Sequence, residues 1–142
     1  MTHRGKTAMR VVRWYHNRDI RVEEMLVPEI GVGELLVRVE ACGICGSDVM
    51  EWYRRDRAPL VLGHEIGGQV VAVGEGVTAY REGDRVTAAH HVPCNTCYYC
   101  LRGRHTLCAR LRETNFDPGG LAEYIRLSPL HVECGVFRLA DI

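Results

Sequence analysis

The chain has 142 residues, enough for one domain with a hydrophobic core but short for two domains of ordinary size. Acidic and basic residues number 18 each, so no net charge favours binding to nucleic acid or to an anionic membrane. The first residues are polar with no apolar run behind them, and no window approaches the roughly 18 consecutive apolar residues of a membrane span, so the sequence predicts a cytoplasmic protein.

Short strands separated by glycine-containing turns dominate the predicted secondary structure. Residues 8–15 and 20–27 form a predicted hairpin, and residues 34–42 alternate apolar and polar side chains as a half-buried strand does. Further strands are predicted over residues 69–73, 85–91, 121–127 and 130–139. One or two helical turns are predicted over residues 48–54, with Ser47 as the N-cap. This pattern predicts a mainly β fold, a small barrel or a sandwich.

Four cysteines lie close together after the predicted strand 85–91. They are Cys94, Cys97, Cys100 and Cys108. Two C-x2-C steps bring thiolates together, and zinc accepts four thiolates in a closed tetrahedral shell, so we predict a structural zinc lobe. Disulfides or metal-free buried thiols are one alternative, although seven cysteines is an odd count for full pairing. An iron–sulfur cluster is another, because four thiolates also hold iron.

A second group of candidate ligands is spread more widely. Cys45 and His64 each lie in a glycine-rich turn beside a predicted strand, and Glu65 follows His64. A catalytic zinc keeps three protein ligands and one open position, and Asp48 is a candidate acceptor for the free ring N–H of His64. The spacing of Cys45 and His64 is not a recognised zinc-finger step, so a buried thiol with a structural histidine is the alternative.

Several other residues have two interpretations. Cys42 forms a C-x-x-C step with the candidate ligand three positions on, which suits a redox pair, but we predict a small core residue. His90 and His91 are predicted to pack, with an alternate metal ligand as the competing interpretation. Residues 54–57 are predicted to form a solvated loop, with a patch for an anionic substrate as the alternative. Cys134 is predicted to be a free thiol.

Taken in order, these motifs resemble the zinc-dependent medium-chain alcohol dehydrogenases, most closely the sorbitol, threonine and polyol dehydrogenase branch. The matching runs are G-I-C-G-S-D at 43–48, L-G-H-E at 62–65, V-G-E-G-V at 73–77, G-D-R-V at 83–86, the cysteine lobe, and G-G-L-A-E-Y at 119–124. The resemblance covers residues 8–142 and implies a GroES-like catalytic domain, a partly open β-barrel with short helices. Residues 1–7 are then a flexible tail.

The resemblance implies a role for each matching residue. Cys45 and His64 would ligate a catalytic zinc, and Glu65 would be a nearby carboxylate that ligates the zinc or replaces its water. Asp48 would orient His64. Ser47 would contact the substrate oxygen and pass its proton onward. The four cysteines of the lobe would hold the structural zinc.

Two departures from the family pattern matter. Many relatives carry a relay histidine where this sequence has Met50, so a proton relay would run through Ser47 instead. The family also has a Rossmann domain, which binds NAD or NADP, after this region. Here the run Gly74–Gly76 lacks the third glycine and the helix of a G-x-G-x-x-G fingerprint. We therefore expect no Rossmann domain in these residues and no activity from the chain alone. The family's last catalytic-zinc ligand would lie a little beyond residue 142, which would weaken the catalytic site, so we expect close to one zinc per chain.

The function implied by the resemblance is oxidation of a secondary alcohol or polyol to a ketone, by hydride transfer to NAD or NADP. The expected partners are a small-molecule alcohol and either a second copy of the chain or a separate Rossmann-domain chain, without nucleic acid or membrane. The alternative is a non-catalytic binding or structural module stabilised by zinc.

Overall fold

The computed structural model describes residues 7–140 and arranges them mainly in two antiparallel sheets. The strands are β1 (Ala8–His16), β2 (Asp19–Leu26), β3 (Leu35–Gly43), β4 (Leu60–Val61), β5 (Glu65–Val73), β6 (Arg85–Ala88), β7 (Tyr124–Leu127) and β8 (Val136–Arg138). One sheet has the order β2-β1-β4 and the other β7-β3-β5-β6-β8. The sheets do not close into a barrel, which confirms the predicted mainly β, partly open architecture.

The helices are short. They are α1 (Glu51–Arg54), α2 (Ala109–Glu113) and α3 (Pro129–Cys134), with 3-10 turns at Gly46–Val49, Arg55–Arg57, Cys100–Arg102 and His105–Leu107. Within residues 7–140, no helix has the length and apolar character that crossing a membrane requires. Most of the predicted tail lies outside the described residues, and at its end the Thr7 carbonyl accepts a hydrogen bond of 3.1 Å from the Val27 amide.

The predicted strand over residues 130–139 is wrong in its first half, where α3 forms instead. Pro129 occupies the first turn of this helix, directly after Ser128. A proline at that position costs no hydrogen bond and its fixed φ suits a helix, so the Ser-Pro pair is a helix start that the apolar pattern hid. Only β8 remains of the predicted strand.

The predicted N-cap is also wrong, because the 3-10 turn begins two residues earlier than a Ser47 cap requires. Ser47 lies inside the turn and Cys45 caps it. The Asp48 amide donates to the Cys45 carbonyl at 2.9 Å, and the Cys45 amide donates to Asp48 Oδ2, also at 2.9 Å. This reciprocal pair fixes the backbone of the first candidate ligand.

Other predicted boundaries move by a few residues. The strand expected from residue 69 begins at Glu65, the strand expected to reach residue 91 ends at Ala88, and the strand expected from residue 121 begins at Tyr124. Residues 121–123 instead join the two sheets. The Val12 amide donates to the Leu121 carbonyl at 2.8 Å, and the Val39 amide donates to the Glu123 carbonyl at 3.0 Å.

The core fills the space between the sheets, and it fixes the strands that carry the candidate ligands. Its fully buried members include Met9, Val11, Leu35, Val37, Val70, Val86, Ile125 and Leu127. β3 and β5 are antiparallel neighbours, and their last pair in this register is Gly43 opposite Glu65. The end of β3 and the start of β5 therefore lie side by side, so the turns attached to them meet.

Candidate metal centres

Three predicted ligands converge where β3 ends and β5 begins. Cys45 Sγ, a ring nitrogen of His64 and a carboxylate oxygen of Glu65 all lie within 4.8 Å of one another. Cys45 and His64 are partly buried, whereas Glu65 is exposed. We call these residues the metal trio. The sequence separation of Cys45 and His64 did not indicate that they lie close together, because their proximity results from the register of β3 with β5.

Gly43 makes room for the carboxylate of the trio. A Cβ atom at this position would lie 2.5 Å from Glu65 Oε2 and 3.1 Å from Glu65 Cβ. The glycine thus lets the Glu65 side chain lie across the end of β3 toward Cys45, a requirement that sequence analysis did not identify.

Gly63 fixes the turn that carries His64. Its φ of 92° lies in the left-handed region, and a Cβ atom would come within 2.6 Å of the Leu121 amide nitrogen. The turn packs closely against the backbone of the following loop, where the Gly120 amide donates to the Gly63 carbonyl at 2.8 Å. Glycine is required here both for its backbone conformation and for this contact.

Asp48 lies beside two of the three residues of the trio, Cys45 and His64. It is only 5% exposed, and its Oδ1 lies 3.6 Å from His64 Nδ1. That distance is longer than a hydrogen bond, but it shows that Nδ1 faces the carboxylate. Nε2 is then the ring nitrogen available to a metal. Its other oxygen accepts from the Cys45 amide, so one carboxylate holds two candidate ligands in position.

Arg54 completes this network, and sequence analysis missed it by assigning the residue to a solvated loop. Its side chain is 11% exposed and donates to Asp48 Oδ1 at 3.1 Å. It also donates to the Ser47 carbonyl at 2.9 Å and to Ser47 Oγ at 3.2 Å. The one sequence feature that could have indicated this contact was the spacing of Ser47 and Arg54, since residues seven apart lie on the same face of a helical segment.

A cleft of about 410 Å³ opens beside the trio. Ser47, Met50 and His64 line one part of it, and Trp52 and Tyr53 line another. This volume lies within the ~300–1,000 Å³ typical of small-molecule sites. Met50, which occupies the position of the expected relay histidine, contributes no titratable group to the cleft wall.

His90 and His91 pack beside the trio, and neither belongs to a metal-binding group among the described residues. The ring centroid of His90 lies 4.5 Å from that of His64 and 4.0 Å from that of His91. Burial lowers the pKa of His90 to about 4, with smaller contributions from the neighbouring histidines and Arg54. His90 is therefore neutral near pH 7.

The helix α3 supports His90 through the buried side chain of His131. His131 is fully buried, its Nε2 lies 3.0 Å from the His90 carbonyl, and its Nδ1 lies 2.7 Å from the Ser128 hydroxyl. Because a carbonyl only accepts, Nε2 carries the proton and Nδ1 accepts from Ser128. Burial lowers the pKa of His131, in agreement with a neutral ring.

The four predicted cysteines of the lobe also converge. Their sulfurs all lie within 4.8 Å of one another, with Cys97 Sγ 3.5 Å from Cys100 Sγ and Cys108 Sγ 3.7 Å from Cys94 Sγ. Four sulfurs at about 2.3 Å from a tetrahedral zinc would lie about 3.8 Å apart, whereas a disulfide needs about 2.05 Å. The spacing therefore fits a tetrahedral tetrathiolate site.

Local hydrogen bonds favour the thiolate form of two of the four cysteines in the lobe. The side chain and amide of Thr96, together with the Cys97 amide, lower the pKa of Cys94. The Cys94 amide donates to Cys108 Sγ at 3.5 Å and lowers the pKa of Cys108. Asn95 adopts a left-handed φ of 56° in the first C-x2-C turn, a conformation that lets successive amides face one acceptor. Burial raises the pKa of Cys100.

The remaining cysteines lie outside both groups. Cys42 is partly buried against the core and its pKa is raised by burial, which favours the predicted packing role over a redox pair. Cys134 Sγ lies 3.1 Å from the Leu130 carbonyl, and burial raises its pKa as well. It is a free thiol, as predicted.

The chain therefore forms an open two-sheet domain with two candidate metal sites. One is a closed group of four cysteines, and the other is an open group of mixed ligands beside a cleft. Residues 31–133 match the family model for the alcohol dehydrogenase GroES-like domain, and the chain belongs to that family. This result confirms the resemblance inferred from the motifs.

Similar proteins include sorbitol dehydrogenase from Bacillus subtilis, which is 35% identical over 136 residues, covering 89% of this chain and 38% of that protein. L-threonine 3-dehydrogenase from Chelativorans sp. is 43% identical over 117 residues, covering 78% of this chain and 34% of that protein. Among solved structures, alcohol dehydrogenase TADH from Thermus sp. ATN1 superposes with a TM-score of 0.75 at 34% identity, covering 94% of this chain and 40% of that one. The chain thus spans between a third and two fifths of the length of these relatives.

Proposed function

We propose that this domain is the zinc-binding catalytic domain of an NAD(P)-dependent dehydrogenase that converts a secondary alcohol or polyol to a ketone. The observation that carries the proposal is the convergence of Cys45, His64 and Glu65 within 4.8 Å beside a cleft. The names of the relatives, which are sorbitol, threonine and alcohol dehydrogenases, support the substrate class.

The donor set of the trio suits zinc. A thiolate, an imidazole and a carboxylate are the ligand types that zinc combines in catalytic sites, and three protein ligands leave one position open. Zinc bound there would supply a Lewis acid for the alcohol oxygen, while a nicotinamide would accept the hydride. The four cysteines of the lobe fill a shell completely, so we assign them a structural zinc.

The surrounding residues would orient the ligands and hold a proton. Asp48 faces His64 Nδ1 and accepts from the Cys45 amide, which limits rotation of the imidazole and of the ligand turn. Arg54 donates to Ser47 Oγ, so the Ser47 hydroxyl proton remains free to point into the cleft. The nearby guanidinium also stabilises negative charge on that oxygen, which suits Ser47 to pass a proton from the substrate hydroxyl.

Metal titration tests this assignment. We expect the purified chain to hold close to one zinc in the lobe and to bind a second equivalent more weakly at the trio. Cobalt is a suitable probe because its absorption bands distinguish four thiolates from a mixed ligand set. Cys45→Ala should abolish the second equivalent, and Cys42→Ala, which removes a nearby thiol outside the trio, should leave it unchanged.

A second equivalent that is indifferent to Cys45→Ala would contradict the catalytic site and would leave the structural module as the better interpretation. We also expect no NAD- or NADP-dependent alcohol oxidation by the chain alone, because its sequence lacks a dinucleotide fingerprint. A cytoplasmic location, self-association, and pairing with a separate Rossmann-domain chain remain predictions.

A further inference from the structure

Apart from Tyr53, the ionisable side chains that line the cleft beside the trio are all basic. Among the described side chains that line it, two are arginines, three are histidines and none is acidic. The arginines are Arg54 and Arg57, both from a segment that the sequence pattern assigned to a solvated loop.

The two arginines differ in their partners. Arg54 is nearly buried and its charge is matched by Asp48 at 3.1 Å. Arg57 has no carboxylate within 4.0 Å among residues 7–140. Arg57 therefore leaves a full positive charge at the cleft, whereas Arg54 serves the network around Ser47.

Tyr53 holds Arg57 in place. The guanidinium carbon lies 4.8 Å from the centroid of the Tyr53 ring, and Arg57 Nη2 donates to the Tyr53 carbonyl at 3.4 Å. A guanidinium has five N–H donors in a planar fork, so these contacts orient the group and leave donors for a ligand. Trp52, which is 66% exposed, provides an apolar surface beside it.

We propose that the alcohol bound in this cleft carries an anionic group, a carboxylate or a phosphate, and that Arg57 binds this group. This inference rests on the proposed function, since it takes the trio as the position of the reacting hydroxyl. A neutral polyol would leave the Arg57 donors to water, whereas an anionic group would form paired, charge-assisted hydrogen bonds with the fork. Arg57 is then a specificity-determining residue.

Binding of three matched ligands to the zinc-loaded chain tests the proposal. Glycerol, glycerate and glycerol 3-phosphate differ in the group at one end and can be compared by calorimetry at low salt. Trp52 fluorescence gives a second readout, because Trp14, the other tryptophan, is only 1% exposed and lies in the core. We expect at least one of the anions to bind about tenfold more tightly than glycerol, a difference of about 1.4 kcal/mol.

Two arginine variants identify the contact. Arg57→Gln should remove the preference for the anion, while Arg55→Gln, which removes the same charge from an exposed residue outside the cleft lining, should retain it. A preference for glycerate alone would identify hydroxy acids, and one for glycerol 3-phosphate alone would identify phosphorylated polyols; either supports the proposal.

Three results would overturn it. One is equal binding of all three ligands, or binding of none. Another is a preference that survives Arg57→Gln, which would locate the anion elsewhere, for example on the metal. The third is an equal loss in both variants, which would indicate only long-range charge. The cobalt titration with Cys45→Ala is independent of all three, so failure here is distinguishable from failure of the dehydrogenase assignment.

Discussion

The cysteine lobe and the metal trio both gather candidate metal ligands within 4.8 Å, but the chain builds them by opposite routes. The lobe takes all four sulfurs from residues 94–108, and the hydrogen bonds that favour its thiolates are local. The trio takes its ligands from turns that only the pairing of β3 with β5 brings together. We expect the closed local group to contribute to stability, whereas the open group depends on the pairing of two strands and lies beside a cleft.

The largest expected effect comes from breaking the lobe. Metal binding and folding are coupled in small zinc sites, where apparent binding free energies reach about 10–16 kcal/mol. Cys100→Ser should therefore abolish zinc binding in the lobe, remove hydrogen-exchange protection from residues 94–108 and lower Tm by about 10 °C or more. Zinc content, exchange and calorimetry measure these changes.

Cys134→Ser is the matched control, because this thiol lies outside the group and should leave zinc content unchanged. Equal zinc content in Cys100→Ser and the parent chain would contradict the tetrathiolate assignment.

The next effect concerns the network behind the trio. Arg54→Gln should lower the free energy of unfolding by about 3 kcal/mol, since removing one partner of a buried ion pair leaves the Asp48 carboxylate without its counter-charge. Denaturant titration measures this loss, and Arg55→Gln, at an exposed position, should stay within about 0.5 kcal/mol of the parent chain. Similar small losses for both variants would show that Arg54 is not structurally important.

A pH-dependent effect tests the support that α3 gives to His90 through His131. Burial lowers the pKa of His131 in the folded state, so below about pH 6.5 the unfolded chain binds a proton that the folded chain resists. Stability should therefore fall as the pH drops below that value. His131→Gln should make this dependence shallower, while His90 still contributes to it. Unfolding free energies at several pH values measure the slope; an unchanged slope would refute a neutral buried His131.

The smallest effect on stability should come from Gly43→Ala, which separates metal binding at the trio from metal binding in the lobe. The new methyl group would lie 2.5 Å from Glu65 Oε2 and 3.1 Å from Glu65 Cβ. Because the carboxylate can rotate away and the Cβ contact needs a shift of only a few tenths of an ångström at the end of the strand, the fold should lose less than about 1 kcal/mol. Displacement of the carboxylate should nevertheless weaken cobalt binding at the trio about tenfold, with no change in the lobe. Gly46→Ala, where nothing lies within 4 Å of an added Cβ, should leave cobalt affinity at the trio unchanged. Equal affinity in Gly43→Ala would remove Glu65 from the ligand set.

The sequence alone was sufficient to predict the features that depend on residues close together in the chain. The four cysteines were identifiable because neighbouring positions determine their geometry, and the strand pattern predicted β1, β2 and β3 within one or two residues. The functional assignment of Cys45 and His64 needed the family resemblance, because register between strands is a long-range property. Arg54 and Arg57 were assigned to solvent because a charged run has the same pattern whether its side chains face water or a cleft. The helix α3 was missed because its apolar residues, taken alone, also fit a strand.

The way in which the cysteine lobe is joined to the rest of the domain determines how readily the lobe could be exchanged. The Val92 amide donates to Thr114 Oγ1 at 2.8 Å, and His91 Nδ1 contacts the Thr114 carbonyl, so the two ends of the intervening segment lie next to each other. The segment is thus topologically an insertion, and a short connection could replace it without separating the strands. His91 and Asn115, immediately outside its ends, both line the cleft. Exchange of the whole lobe is therefore a route by which evolution or engineering could vary stability independently of substrate choice.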